Sequence, residues 1–185
     1  VLVSVDWPGI VSDLPPGSLL RVRARLAARI WSDPADVRFA VEVGIPYADG
    51  LFRILASVAD RDPTSPDTAF VEAGPAEVGS GKGVLVQLGV LYGGALYVKV
   101  SDGTVWVSHS DSETEYELIS RDLSSLSYLL YLVEGEKPPP EDDPDPYDWA
   151  DAERIVREKI TRWDPLPFAQ PGGFWDTYLD SYALH

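Results

Sequence analysis

The residues that could do chemistry in this 185-residue chain are its carboxylates, two histidines and one glycine-lysine cluster. Gly79-Ser80-Gly81-Lys82-Gly83 has the look of a phosphate-binding loop, but it departs from one at three points. Position 76 is alanine where the first glycine would stand, Gly83 replaces the Ser or Thr after the lysine, and a β-rich stretch follows where a helix must begin. The helix N-terminus is what holds the phosphate, so the segment reads as a flexible turn. His109 stands at a predicted strand end near Asp111, and His185 closes the chain. A catalytic triad needs a histidine beside a nucleophile and an orienting acid, and no such set accompanies either one. With no cysteine, disulfides, thiolate zinc sites and cysteine nucleophiles are excluded.

The 30 acidic residues could supply a paired-acid hydrolase. That chemistry needs two carboxyls at a fixed gap, one of them desolvated to raise its pKa. Here the acids fall mostly in predicted loops and on exposed strand faces, where water screens them. The run Glu141–Asp148 lacks the alternating acids, turn glycine and distal glutamate of an EF-hand. The expectation is therefore no catalytic residue, no metal ligand set and no cofactor, which leaves a binding surface.

Charge points the same way. Against 30 acids stand 15 bases, a net charge of −15, which repels phosphate backbones and anionic lipid. Nucleic acid and membrane are poor partners, and a basic protein is a good one. The acids crowd between Asp102 and Asp151, where only Arg121 and Lys137 oppose them, whereas Arg21, Arg23, Arg25, Arg29 and Arg38 make the early stretch 21–38 basic. Solubility alone does not require that polarity. The candidate partner-binding residues are Asp111, Glu113, Glu115 and Glu117 in one acidic segment, and Glu141, Asp142, Asp143, Asp145, Tyr147 and Asp148 in a second. Tyr147 and Trp149 could anchor an interface, although Trp149 also begins the core stripe of a predicted helix.

The elements that must position these groups centre on Val84–His109. Asp102-Gly103 is a strong hairpin signal. With those two as turn residues, Val98 faces Val107 and Val100 faces Val105 on an apolar face, and Lys99 faces Trp106 on the other. A turn at Gly93-Gly94 sets Leu91 opposite Leu96, giving a three-stranded antiparallel meander at the centre of a sheet. Before it, Asp6 caps a short helix stopped by Pro15-Pro16-Gly17, and Ser18–Trp31 reads as an extended piece followed by a helical turn. Asp33-Pro34 opens a helix that stops at Gly44. Leu51–Val58 is a strand, and positions 60–83 form a long surface loop with a short strand at Phe70-Val71. After the meander come a fourth main strand at Glu113–Ile119 and a helix capped by Ser120 or Asp122. A stiff acidic, proline-rich connector spans positions 136–148. A helix capped by Asp148 and a last helix after Gly173 complete the chain. The sum is an α+β fold, a mostly antiparallel central sheet flanked by short N-terminal and C-terminal helices.

The hydrophobic fraction of 45% and aromatic fraction of 11% are those of a folded chain. The length fits one domain over residues 1–185 that buries roughly 70% of its unfolded surface. No apolar run reaches about 18 residues, and Val1-Leu2-Val3 lacks the flank of a signal peptide, so the expected location is cytoplasmic. Methionine is absent, position 1 included, so the chain is either trimmed or opens on a valine start codon.

Several stretches together resemble the SUKH superfamily, specifically the fourth-family type of immunity protein from bacterial polymorphic toxin systems. The helix leading into Val43-Gly44-Ile45-Pro46, with Phe39 and Val41, is similar to the family's T-x-x-F-L-x-x-V-G-L-P segment, and Leu51-Phe52-Arg53-Ile54 follows at the usual place. Tyr97-Val98 and Asp102-Gly103-Thr104-Val105-Trp106 resemble its D-x-x-T-G-x-V-W turn with flanking strands. Asp122-Leu123-Ser124-Ser125-Leu126 resembles its N-S-S-L helix, without the asparagine. Pro171-Gly172-Gly173-Phe174-Trp175 is similar to its terminal G-W-W segment. The resemblance covers most of the chain from about Pro15 onward, with positions 60–83 and 136–148 longer than usual. It implies a non-enzymatic antitoxin that binds and neutralises a cognate toxin domain, often a deaminase or nuclease acting on nucleic acid. The competing readings are a regulatory module binding another protein or peptide on the same scaffold, and an acid-pair hydrolase.

Overall fold

The computed structural model describes residues 4–72, 77–108, 115–139 and 144–182. Several of its helices start where a short polar side chain takes up orphan backbone N–H groups. Asp6 accepts from Gly9 at the start of α1 (Trp7–Asp13), and Asp33 accepts from Ala35 at the start of α3 (Pro34–Glu42). Between them, β1 (Leu19–Val22) runs into α2 (Ala24–Ile30), so the strand-like and helix-like patterns of that stretch both apply, one after the other. Gly44 ends α3 with φ +86°, and a Cβ there would lie 2.5 Å from the Leu20 carbonyl oxygen. Only glycine fits both the conformation and the approach.

A small antiparallel sheet places β1 between β2 (Ile45–Pro46) and β4 (Ala59–Asp60). The strands of the large sheet are β3 (Phe52–Leu55), β5 (Phe70–Val71), β6 (Glu77–Ser80), β7 (Gly83–Leu91), β8 (Gly94–Lys99), β9 (Val105–Ser108) and β10 (Tyr116–Ser120). Their order is β10-β9-β8-β7-β3-β5, all antiparallel except the β3–β5 pair, and β6 also pairs with β7. The expected meander β7-β8-β9 lies at the middle of this α+β fold. Leu96, Val98, Val105 and Val107 join one apolar cluster with Leu123, Leu126, Leu130 and Val133 of α4 (Leu123–Gly135). Val156 and Ile160 of α5 (Pro146–Thr161), and Trp175 and Leu179 of α6 (Phe174–Asp180), belong to the same cluster, as do Trp7, Ile30, Phe39 and Phe52 from the first part of the chain. Burial keeps the phenol of Tyr182 protonated well above its usual range, and its hydroxyl donates to the Val133 carbonyl.

Both hairpins differ from expectation in register by two residues. The first turns at Tyr92-Gly93, with Leu91 opposite Gly94, and both turn residues take positive φ (43° and 80°) as a type I′ turn requires. Gly94 is needed in the strand, because a Cβ there would come within 2.4 Å of the Ser108 carbonyl oxygen. In the second, Val98 faces Val105 and Leu96 faces Val107, with Val100 through Gly103 as the loop. Asp102 lengthens that loop by accepting from the N–H and hydroxyl of Thr104 and from the Lys99 ammonium at 2.7 Å. Next to the turns a two-residue shift leaves the side chains on their expected faces, and a bulge between Gln87 and Gly89 shifts the β7–β8 pairing once more further from the turn. It is Lys82, not Lys99, that lies over the Trp106 ring, 5.6 Å from its centroid.

Positions 60–83 hold more structure than a loop. The short strand at Phe70-Val71 is present, but β6 and the Gly81-Lys82 turn make an additional hairpin with β7. A lone Val78 opposite Leu85 is too faint an apolar signal to read in advance. The helix after the proline-rich connector begins at Pro146, not Trp149, because Asp145 and Asp148 form a capping box around its first turn.

Candidate partner-binding surface

The described residues of the first acidic segment belong to β10 and the position just before it. The neighbouring β9 sets Glu117 opposite Val107 and Leu118 opposite Trp106, so the outer sheet face here carries Trp106, Leu118 and Tyr116. The Tyr116 ring meets Tyr97 edge-on at 5.5 Å. Pro167, Ala169 and Gln170, which follow α5, form the facing wall. Between the two lies a concavity of 770 Å³ that Lys82, Glu115 and Glu117 also line.

Within this groove the indole is held in place, since Trp106 Nε1 donates to the Thr104 hydroxyl at 2.8 Å. Glu117 is held too: its Oε1 accepts the Phe174 N–H at 2.7 Å, capping α6 where Gly173 has no side chain to do so. Glu115 is exposed and makes no ion pair with a described cation. Sequence reasoning names Glu115 and Glu117 but misses Trp106, Lys82 and the 166–170 wall. Strand parity hints at Trp106, whereas nothing local signals that Lys82 and the wall come to lie against it.

The second acidic segment opens α5. Asp145 accepts the N–H groups of Tyr147 and Asp148 at 2.7 and 3.1 Å, and Asp148 accepts that of Asp145 at 2.9 Å. These carboxylates sit at the positive end of a helix dipole, which stabilises their charge. Tyr147 is 81% exposed, while Trp149 turns inward against Tyr182 with ring centroids 5.3 Å apart. A separate concavity of 310 Å³ runs between the α4 C-terminus and α5, lined by Glu136, Asp148 and Asp151. Further along α5 the acids are matched: Asp151 and Glu158 flank Arg154, and Arg157 gathers Glu153, Asp176 and Asp180.

Thus Glu115 and Glu117 share one groove, and Asp145, Tyr147 and Asp148 share one helix start. Asp111, Glu113, Glu141, Asp142 and Asp143 lie outside the described residues, as does His109.

Two other sets of groups bear on chemistry. Gly81-Lys82 is the turn of a β-hairpin, with Ser80 donating to the Gly83 carbonyl, so no helix N-terminus stands behind it. Asp36 has its carboxyl pushed up by burial and by the nearby charges of Asp122 and Asp33. Burial alone would raise Asp122 as well, but the Ser124 hydroxyl and Ser125 N–H hold it down. Asp122 is the cap of α4, and neither acid lines the two concavities above. Among the described residues no cluster of three or more His, Asp or Glu could hold a metal ion, and no helix is long and apolar enough to cross a membrane.

Comparison with known proteins adds one finding. A family model described as SUKH-4 immunity protein matches residues 14–181. No match was found among curated proteins or among solved structures.

Proposed function

The chain belongs to the SUKH-4 immunity protein family, and from that premise we propose that it binds a cognate toxin domain and neutralises it by stoichiometric occlusion, with no reaction of its own. The toxin is a basic one acting on nucleic acid, a deaminase or a nuclease, and the encounter takes place in the bacterial cytoplasm. The observation that carries this reading is a net charge of −15 concentrated between Asp102 and Asp151. A toxin that grips phosphate carries lysines and arginines on its working surface, so carboxylates arranged against that surface accelerate encounter and compete with the nucleic acid. The partner-binding residues are Asp111, Glu113, Glu115 and Glu117 together with Glu141, Asp142, Asp143, Asp145, Tyr147 and Asp148.

The test begins with the gene neighbourhood, where a toxin gene should lie immediately upstream. Co-expression with that toxin domain should restore growth, and the two chains should purify as a complex. Reversing Glu141, Asp142, Asp143 and Asp145 to lysine together should weaken the complex. Unchanged affinity would remove the second acidic segment from the interface while leaving the immunity function standing. A toxin that kills equally with and without this protein would end the reading altogether.

A further inference from the structure

We propose that the groove between the outer face of β9–β10 and the 166–170 wall receives an arginine-bearing loop of the toxin, with the guanidinium stacked on Trp106 and paired with Glu115. The inference rests on the immunity reading above and says where and how that partner docks.

Four features of the groove converge on this occupant. The Trp106 indole already serves as a cation platform, with the Lys82 ammonium 5.6 Å from its centroid. The Nε1–Thr104 hydrogen bond fixes the ring beforehand, so binding loses little rotamer freedom there. Glu115 stands exposed in the groove lining and makes no ion pair with a described cation, and Glu117, two residues on in β10, adds a second carboxylate whose Oε1 already accepts from Phe174. Tyr116, Leu118 and Pro167 give the groove the apolar body against which a guanidinium's planar faces and aliphatic stem pack better than a hydrated ammonium. At 770 Å³ it has room for more than one side chain, which suits a loop.

The α5 start compares poorly. Asp145 and Asp148 are engaged with backbone N–H groups, and Asp151 already has Arg154. Lys82 is the intramolecular competitor. It is exposed at the tip of the β6–β7 turn, so an incoming guanidinium can displace it.

The experiment measures affinity of the full chain for the toxin domain encoded beside it, by calorimetry or biolayer interferometry, with thermal melts to confirm folding. Glu115→Lys should weaken binding by about tenfold or more. Trp106→Leu should weaken it comparably, and Trp106→Phe should retain most of it, because a phenyl ring still offers a π face. Lys82→Ala should leave affinity unchanged or improve it, since it removes the competing cation. Asp151→Lys on α5 is the control and should change affinity far less than Glu115→Lys. Wild-type affinity in Glu115→Lys, or a loss in Lys82→Ala, overturns the groove assignment while the immunity reading survives. A wild-type chain that neither binds nor neutralises the toxin overturns both.

Discussion

Glu117, in the last strand of the sheet, accepts the backbone N–H of Phe174 and so caps a helix 57 residues further along the chain. The start of α6, four residues beyond the groove wall, is thereby tied to the strand that forms the groove floor. Removing the acceptor with Glu117→Ala should cost about 1 kcal/mol of stability, the usual value of a lost helix cap. Glu117→Gln keeps an oxygen in place and should cost less than half as much. Urea denaturation of the three proteins checks this, and an alanine variant as stable as wild type would show the contact to be incidental.

Arg157 is the corresponding tie on the helical side. It meets Glu153 at 2.7 Å, Asp176 and Asp180, and its guanidinium lies 4.6 Å from the centroid of Phe168. α5, α6 and the 3₁₀ turn Leu166–Phe168 therefore converge on one side chain that is 28% exposed. Arg157→Ala strands three carboxylates and should cost about 2 kcal/mol. Arg157→Lys keeps the charge but loses the planar fork, so it should fall between the two. Chemical denaturation gives the order, and a lysine variant as weak as alanine would show that geometry rather than charge dominates.

Acid should loosen the fold in a definite window. Burial works against the charge of Asp102, but the Lys99 ammonium and the Thr104 hydroxyl and N–H outweigh it and hold the carboxyl at about 2, against 3.8 ordinarily. The Arg157 guanidinium holds Asp176 low, and Ser124 and Ser125 do the same for Asp122 against its burial. An acid with a depressed folded pKa stabilises the native state above its unfolded value, and that contribution disappears as pH falls through the folded one. The contribution of these three acids should thus be level above the ordinary carboxylate value and decline as pH falls from there toward about 2, while Asp36, whose carboxyl is pushed up, works in the opposite direction at higher pH. Asp102→Asn should be less stable than wild type at neutral pH and should show a shallower decline over that interval. Urea midpoints against pH give the answer, and parallel curves for the two proteins would contradict it.

Two glycines of the central meander should respond very differently to alanine. A Cβ at Gly93 would meet nothing within 4 Å, so Gly93→Ala costs only what a left-handed backbone costs a residue with a side chain, about 1 kcal/mol. At Gly89 a Cβ would lie 2.1 Å from the Arg53 carbonyl oxygen, inside the β3–β7 pairing. The backbones would have to part, and Gly89→Ala should cost about 3 kcal/mol or more, enough to unfold a marginal domain. Thermal melts separate the two, and similar melting temperatures would mean that the sheet yields at Gly89.

What the sequence discloses here is what depends on near neighbours. Asp6, Asp33 and Asp122 can be read as caps because a cap acts on N–H groups two or three residues ahead. The alternation of Leu96, Val98, Val105 and Val107 survives a two-residue slip, so the faces of the meander are legible although neither register is. The register of the first hairpin depends on Gly94 passing close to Ser108, a contact between strands that a Gly-Gly pair does not announce. The acidic residues are legible as a set, but not their uses. That Asp145 and Asp148 cap α5, that Glu117 caps α6, and that residues 166–170 close a groove over Trp106 all follow from tertiary placement.

The charge and the groove should leave separate kinetic marks on toxin binding. Steering acts through the summed field of the acidic residues, which at physiological ionic strength is screened beyond about 8 Å. Raising salt from about 10 to 150 mM should therefore lower the association rate by about tenfold or more and change the dissociation rate little. Contacts made after docking behave in the opposite way. Trp106→Leu should speed dissociation at every salt concentration and leave the slope of association against ionic strength as it was. Lysine reversals at Glu141, Asp142, Asp143 and Asp145 should flatten that slope even where they touch nothing in the complex. Stopped-flow or surface-based kinetics over a salt series resolves both rates. An association rate indifferent to salt would mean that the net charge of −15 serves this protein's solubility and not its encounter with the toxin.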